Sequence, residues 1–358
     1  MKAPEVAAVA LTDHDALAGF LASFPGLPSS PDFWRSRFRL WWQGNPAFAG
    51  SPAGWMLRAD GSIKGFLGSV PSLFLLDGAP TTVHSVTSWM VLPEYRDHSL
   101  ALLLEQLRAA EKTLLFDTTP TPEVAEILGS LGFRPLPWAG SRESFILVDG
   151  RRCLQAAAPD FLSGTKLAGL GAAALAGVQS LRLKALRDPA LRLASAAEEA
   201  GDEFDALWQR TWTIWPNTNV RSAQAVRWQC LEDPHVAKPL FVCRQEGRLA
   251  GYMVFKARDR RGLRSLDCAD FWEDPSAPGV LESLLAAAWL HAQGAALDLL
   301  TFPHFSRSLG ERLDRAGLFA RDSGRQALFC GPPELLDRIR PEDSYLVGLQ
   351  GDYGTAVS

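Results

Sequence analysis

Asp60-Gly61-Ser62-Ile63-Lys64-Gly65-Phe66 recurs, at an offset of 186, as Glu246-Gly247-Arg248-Leu249-Ala250-Gly251-Tyr252. Downstream, Leu131-Gly132-Phe133 recurs as Ala316-Gly317-Leu318, so Gly65 precedes Gly132 by 67 and Gly251 precedes Gly317 by 66. Upstream, Asn45-Pro46 is matched by Asp233-Pro234, shifted by 188. Motifs that keep one offset over such a length predict a duplicated domain, each copy large enough to own a core, rather than a short stacked solenoid.

Around the first motif, residues 54 to 59, 64 to 76 and 81 to 91 read as strands, and Asp60-Gly61 and Asp77-Gly78 are the hairpin signals between them. An antiparallel meander is the simplest arrangement. Before it lie a strand at 6 to 11, a helix carrying Leu17, Phe20, Leu21 and Phe24, and a second helix carrying Phe33, Trp34, Phe38, Trp41 and Trp42. After it come a helix with Leu100, Leu103, Leu104 and Leu107, a buried strand Thr113 to Phe116, a helix from Pro122 to Gly129 and a strand from Phe133. The second copy repeats this order: helices at 202–215 and 221–231, strands at 239–244, 249–257 and 262–271, a helix at 279–293, a strand at 296–302 and a helix at 306–315.

The 358 residues are 47% hydrophobic and 21% charged, as expected of globular domains, and carry a formal charge of −4. Residues 1 to 150 hold 11 Lys/Arg against 15 Asp/Glu, and the remainder 25 of each, so a nucleic-acid-tracking face is not expected. The five cysteines lie apart without a Cys-x-x-Cys pair, which points to no zinc cluster and no disulfide framework, and to a cytoplasmic location. The apolar run Val6 to Leu11 is too short for a signal peptide. Residues 151 to 192 carry seven basic side chains against Asp160 and Asp188. Within them, 160–187 reads as an apolar helix bridging the copies, with a peripheral membrane contact as the sharper alternative. Its uncharged run Leu167 to Leu181 is too short to span a bilayer.

The segment that carries chemistry is Trp89-Met90-Val91-Leu92-Pro93-Glu94-Tyr95-Arg96-Asp97-His98-Ser99-Leu100-Ala101-Leu102-Leu103-Leu104, a strand, a loop and a helix. A helix N-terminus offers unpartnered N–H groups and a positive dipole end, and small residues let a pyrophosphate approach it. This segment resembles the acyl-CoA-binding motif of the GNAT N-acetyltransferase superfamily, in which a strand ends, Pro and Arg or Gln follow, and small residues open a helix. Ala101 fits that pattern, whereas Ser99 stands where the family has glycine. Leu128-Gly129-Ser130-Leu131-Gly132-Phe133 is similar to the family's helix ending in Gly-Phe. The resemblance covers about residues 5 to 148 and, more faintly, 196 to 330.

The resemblance implies a mixed α/β (α+β) class with two GNAT-like domains, each a mixed, mostly antiparallel sheet flanked by helices. It divides the chain into an N-terminal GNAT-like domain over 1–150 with the acyl-CoA site, a linker with an apolar and basic helix over 151–195, a degenerate C-terminal GNAT-like domain over 196–335, and a tail over 336–358. Met90, Val91, Arg96, Asp97, His98, Ser99, Leu100 and Ala101 are then the cofactor-binding residues, for acetyl-CoA or another acyl-CoA, with no metal. In the second copy Phe271 to Gly279 offers two prolines without N–H groups and two acids, so CoA is expected in the first lobe only. Many family members place a Tyr four residues before the Gly of Gly-Phe, and here that position is Leu128.

Acyl transfer to an amine needs a proton acceptor and a group to protonate the leaving thiolate. Asp117, after the strand at Phe116, and His84, on the strand leading into the motif, are the catalytic candidates. Asp270 and His304 are the acceptor-binding candidates, Asp267 lying three residues from Asp270 and so on the opposite face of an ideal strand. The expected function is acyl-CoA-dependent N-acyltransfer to an amine of a small molecule or sugar precursor. Transfer from an acyl carrier protein or aminoacyl-tRNA, as in FemABX proteins, and a non-catalytic binding or scaffold role are the alternatives.

Overall fold

The computed structural model describes residues 4–136, 141–157, 166–260 and 262–347. The first copy starts with β1 (Glu5–Ala8), α1 (His14–Ala22) and α2 (Pro31–Phe38), which runs into a π turn over Arg39–Gln43. The meander follows as β2 (Gly54–Ala59), β3 (Ser62–Leu76) and β4 (Ala79–Val91), then a 3₁₀ helix over Pro93–His98 that continues into α3 (Ser99–Ala109). Next come β5 (Leu115–Asp117), α4 (Pro122–Ser130), β6 (Arg134–Pro135) and β7 (Arg142–Leu147). The bridging segment is two helices, α5 (Gly150–Ala157) and α6 (Lys166–Arg182), where the sequence predicts one. The second copy contains β8 (Ala194–Ala197), α7 (Asp202–Thr211), β9 (Asn217–Asn219) and α8 (Ala223–Val226), the last continuing into a π turn over Arg227–Leu231. It goes on through β10 (Leu240–Gln245), β11 (Arg248–Arg260), β12 (Leu263–Glu273), α9 (Val280–Gly294) and β13 (Leu299–Pro303). It ends with α10 (Arg307–Arg315), β14 (Phe319–Asp322), β15 (Leu328–Cys330), α11 (Pro333–Leu336) and β16 (Ser344–Tyr345).

Local chemistry explains the hairpins. Asp60 and Gly61 have φ of 51° and 73°, Asp77 and Gly78 52° and 74°, Glu246 and Gly247 50° and 75°. Two successive left-handed residues make the turn whose twist matches the flanking strands. Helix starts follow their caps: Thr121 accepts from the Val124 N–H, Ser222 from Ala225 and Ser306 from Leu309.

The duplication reaches irregular features. The π turns beginning at Arg39 and Arg227 keep the same offset of 188 as Asn45 and Asp233, and both of the latter side chains accept from the N–H two residues on. A register shift between Leu57 and Arg58 has its counterpart, at the offset of the hairpin motif, between Cys243 and Arg244. Both copies also place one extra residue in the strand opposite β3 or β11, near Ser88 in β4 and at Ala269 in β12.

The sheets do not respect a division of the chain at residue 150. One has the order β1-β2-β3-β4-β5-β15-β6, with β9 joining β3 and β16 joining β9; the other has β14-β7-β13-β12-β11-β10-β8. The two copies thus exchange their last strands, β7 entering the second sheet between β13 and β14, and β15 entering the first between β5 and β6. The chain after each exchanged strand then covers the sheet it has joined. Leu336, Ile339 and Leu346 pack on Phe74, Val83 and Phe116 of the first sheet, while α5 packs against β12 and α6 against β7 of the second. On the other side of the first sheet, α3 and α4 bury Leu102, Leu103 and Leu128 against Leu57, Leu67 and Leu115. Leu128 is fully buried, so the position where the resemblance would lead one to expect a Tyr is core here.

Candidate functional site

In the first sheet β4 and β5 run parallel and pair at only two positions, His84 with Leu115 and Ser85 with Phe116. β5 ends at Asp117, whereas β4 continues to Val91, still paired to β3 on its other edge. The two strands therefore part, and among the described residues no strand pairs with the β5-facing edge of 86 to 91. The bulge bends β4 at this point, and Ser88 sits there with φ of 51°, a conformation that costs a non-glycine residue free energy. Ser88, Trp89, Met90 and Val91 are all half-exposed along the opening.

A directed chain of hydrogen bonds ends at the base of this crevice. The Trp55 indole N–H donates to Gln106 Oε1 (3.1 Å), Gln106 Nε2 donates to Ser69 Oγ (3.1 Å), and Ser69 Oγ lies 3.2 Å from His84 Nδ1. The direction is fixed at its start, because an indole N–H can only donate. The Gln106 carbonyl must face Trp55 and its NH₂ must face Ser69, and the Ser69 hydroxyl, with one O–H and two lone pairs, bonds to Nδ1 in either tautomer of the ring. Ser69 and Gln106 are buried, His84 is 9% exposed, and burial lowers the His84 pKa from 6.5, which keeps the ring neutral.

The segment expected to hold a pyrophosphate has a different form from the one its sequence suggests. Pro93–His98 is a 3₁₀ helix in which Tyr95 N–H donates to Leu92 O, and Ser99 N–H to Arg96 O, so these amides are bonded within the chain. Ser99 has φ of −61° and ψ of −36°, an ordinary helical conformation that needs no glycine. Arg96, Asp97 and His98 are exposed, Ser99 and Ala101 half-exposed, and Tyr95 is buried beneath Lys64. Asp117 is buried at the end of β5, its Oδ1 accepting from the Thr119 N–H, which caps the loop into α4. Among the predicted first-lobe residues, the fold thus brings His84, Met90 and Val91 to the crevice, sets Asp117 at the end of its other wall, and places 96 to 101 beyond the end of β4.

The corresponding opening in the second sheet is lined by two ion pairs and by a cavity of about 240 Å³ between Phe271, Trp272, Glu273, Leu309, Arg312 and Tyr345. β12 and β13 pair from Ser265 to Asp267 and then diverge, as β4 and β5 do. Here Asp270 meets Arg221 through Nε and Nη2 at 3.1 Å and accepts from the Tyr252 hydroxyl at 2.7 Å. Arg221 also donates to Thr218 Oγ1 and Asn219 O, and its guanidinium stacks 4.3 Å from the Trp272 ring and 5.2 Å from Tyr345. Both charged partners are buried. Glu273, one of the acids expected to repel phosphate, is bidentate to Arg312, and Asp274 pairs with Arg210.

Two acceptor-binding expectations change accordingly. Asp270 is consumed by the Arg221 ion pair. His304 is buried, 2.8 Å from Ser144 Oγ through Nε2 and in contact with α10 at Gly310, where an added Cβ would come within 2.5 Å of Nδ1. Both therefore hold the second lobe together. The expectation that Asp267 and Asp270 face opposite ways also fails, because the bulge at Ala269 restores them to one face: their partners Lys256 and Val254 are two residues apart on β11. The sequence reading gives no weight to Gln106, Ser69 or Arg221. The available signal was Gln106, a polar side chain on the same helical face as Leu102 and Leu103.

Among the described residues no helix is long and apolar enough to cross a membrane, and no group of three or more His, Cys, Asp or Glu is placed to hold a metal ion. The proposed membrane segment 160–187 lies partly outside the described residues. In its described part, Val178 and Leu181 are exposed on α6.

No protein-family model and no curated protein matches the sequence. Solved structures do. Saccharomyces cerevisiae N-myristoyltransferase with bound myristoyl-CoA superposes with a TM-score of 0.58 at 11% identity, covering 97% of this chain and 85% of that one. A GCN5-related N-acetyltransferase from Anabaena variabilis gives 0.56 at 13% identity, covering 91% and 72%. A probable N-acyltransferase from Enterococcus faecalis, described as a conserved protein of unknown function, gives 0.56 at 10%, covering 92% and 72%. The fold is therefore the two-lobed GNAT arrangement that the repeated motifs imply.

Proposed function

We propose that the chain is an acyl-CoA-dependent N-acyltransferase that works in the crevice between β4 and β5 of the first sheet. The observation that supports the reading is the inequality of the two openings: the first is half-exposed and strained at Ser88, whereas the second carries the Arg221–Asp270 and Arg312–Glu273 ion pairs, whose acids disfavour a diphosphate. The acceptor is an amine of a small molecule. In the reaction the amine nitrogen bonds to the thioester carbonyl carbon, the C–S bond breaks, the ammonium proton leaves to water and the thiolate is protonated from water. Neutral His84, in the tautomer in which Ser69 donates to Nδ1 and Nε2 carries the proton, serves as a hydrogen-bond donor to the carbonyl oxygen as negative charge develops there. The open edge of β4 from 86 to 91 lies along the pantetheine, and the exposed Arg96 and His98 side chains, rather than amides of a loop, meet the diphosphate. Asp117 shapes the opposite wall through its cap on Thr119. Holding thioester and amine together supplies much of the rate.

Thermal stabilisation by CoA and single-turnover transfer from acetyl-CoA and longer acyl-CoAs to a panel of amines test the proposal. We expect a CoA-dependent rise in melting temperature that Arg96→Ala reduces and Glu273→Ala leaves alone. No rise at millimolar CoA would favour the second reading, a non-catalytic GNAT-fold binding protein. The specific observation on that side is that the Pro93–His98 turn bonds its own amides.

A further inference from the structure

Along its C-terminal half α6 is held to the second sheet by one face. Gln179 is buried and bonds the Leu147 backbone twice, its Oε1 accepting from the N–H at 2.7 Å and its Nε2 donating to the carbonyl at 2.6 Å. Leu183 and Leu186 follow on that face and are buried in the second core. At about 100° of rotation per residue, Leu181 lies on the side of the helix away from Gln179. It is 77% exposed, more than any other large apolar side chain among the described residues. Val178 is 49% exposed, and Ala174 and Gly177 are exposed as well. Ala174, Gly177, Val178 and Leu181 keep the spacing of a single helix face. Because Gln179 and Leu183 fix the rotation of the helix, this stripe cannot turn inward.

The stripe ends in cations. Arg182, Lys184, Arg187 and Arg192 are all exposed, and none forms an ion pair among the described residues. Arg182 donates to Leu318 O and stacks over Phe319, and Arg187 donates to Ser180 Oγ and stacks over Trp289, so their partners are neutral. From 166 to 197 the sequence sets five basic residues against one acid, Asp188, in a protein of net charge −4. Asp188 Oδ1 accepts from the Ala190 N–H and caps the 3₁₀ turn over Pro189–Leu191. Exposed leucines scattered singly are ordinary. An uncharged helix face that runs into unneutralised cations instead complements the boundary of an anionic bilayer, where apolar side chains enter the acyl region and cations meet phosphates. A second copy of the chain, docked by two-fold symmetry on the same stripe, would set these like charges against each other.

We infer that the outward face of α6 and the turn after it dock on an anionic phospholipid surface, with Val178 and Leu181 inserted and Lys184, Arg187 and Arg192 on the lipid phosphates. The helix lies along the surface, since it is not long and apolar enough to cross it. The inference does not depend on the acyltransferase reading. Cosedimentation of the full chain with vesicles of phosphatidylglycerol and phosphatidylcholine in equal parts, and with vesicles of phosphatidylcholine alone, tests it. The anionic vesicles should bind at least tenfold more tightly, and added salt should shrink the difference. Leu181→Glu, and Lys184→Glu combined with Arg192→Glu, should each weaken that binding at least tenfold while leaving the melting temperature unchanged, because all three positions are exposed. The inference is overturned if neither vesicle binds, if both bind alike, or if either variant binds as the wild type does. It is overturned equally if the wild type is a dimer that Leu181→Glu converts to a monomer, which would assign the stripe to a second copy of the chain.

Discussion

The two crevices occupy matching places in the two copies and differ in what lines them. Each lies where a parallel strand pair parts, after His84 and Ser85 in β4 and after Asp267 in β12, and each is bent by one extra residue. In the first, the bent strand stays half-exposed, and Ser88 holds a left-handed conformation. In the second, the position beside the bulge, which Thr87 occupies in the first, is Asp270, and its carboxylate has drawn in Arg221, Tyr252 and the rings of Trp272 and Tyr345. A strand opening left half-exposed in one copy holds an internal joint in the other, because a carboxylate buried at the bulge must be paired. The joint ties the lobes together as well: Arg221 follows β9, which pairs with β3 of the first sheet.

The sharpest way to break the comparison is to empty the second crevice. Arg221→Met leaves Asp270 buried without its cation and should cost about 3–5 kcal/mol in urea denaturation, whereas Arg221→Met with Asp270→Leu should recover most of that loss. An Arg221→Met protein of wild-type stability would show that the joint does not hold the fold together here. Next in size, His84→Ala should lower kcat roughly 10²- to 10³-fold, the scale on which a single oxyanion donor matters, while lowering stability by about 1–3 kcal/mol because the buried Ser69 hydroxyl loses its partner. Gln106→Leu, which removes the group orienting Ser69, should lower kcat by about tenfold and leave the Kd for CoA alone, since it acts through His84. Arg96→Ala should weaken CoA by about tenfold, and Glu273→Ala should not, as read by thermal shift across a ligand series.

The smallest effect is on pH. Burial lowers the pKa of His14, His84 and His304 below 6.5, so the unfolded chain binds more protons than the folded one on the acid side of that value. The stability they contribute is complete above pH 6.5 and is lost as pH falls through their lowered folded values. The urea midpoint should therefore be lower at pH 5.5 than at pH 7.5, and His304→Gln should narrow the difference. A midpoint that rises on acidification would place these rings in charged, partnered environments instead.

Much of the fold is legible in the chain because it depends on local chemistry. Asp-Gly pairs set hairpin twist, Thr121, Ser222 and Ser306 start helices, and the recurring glycines mark the copies. The site is legible only in part. His84, Met90 and Val91 lie on a strand that the alternation identifies, but the 3₁₀ turn at Pro93–His98 hides in a stretch whose composition reads equally well as an open loop. Asp270 and His304 read as free polar groups at strand ends, because their partners Arg221 and Ser144 are 49 and 160 residues away in sequence.

The sequence by itself determined the duplication, the meander and the order of helices and strands, since periodicity and turn residues act over a few positions. Tertiary structure alone decided which sheet β7 and β15 joined, because an exposed strand edge accepts any partner whose side chains fit the core it enters. It also decided which of two like crevices received a buried ion pair. That choice rests on burial: one bulge holds a half-exposed serine, while the other stands beside a buried carboxylate whose compensating charge arrives from a distant turn of the chain.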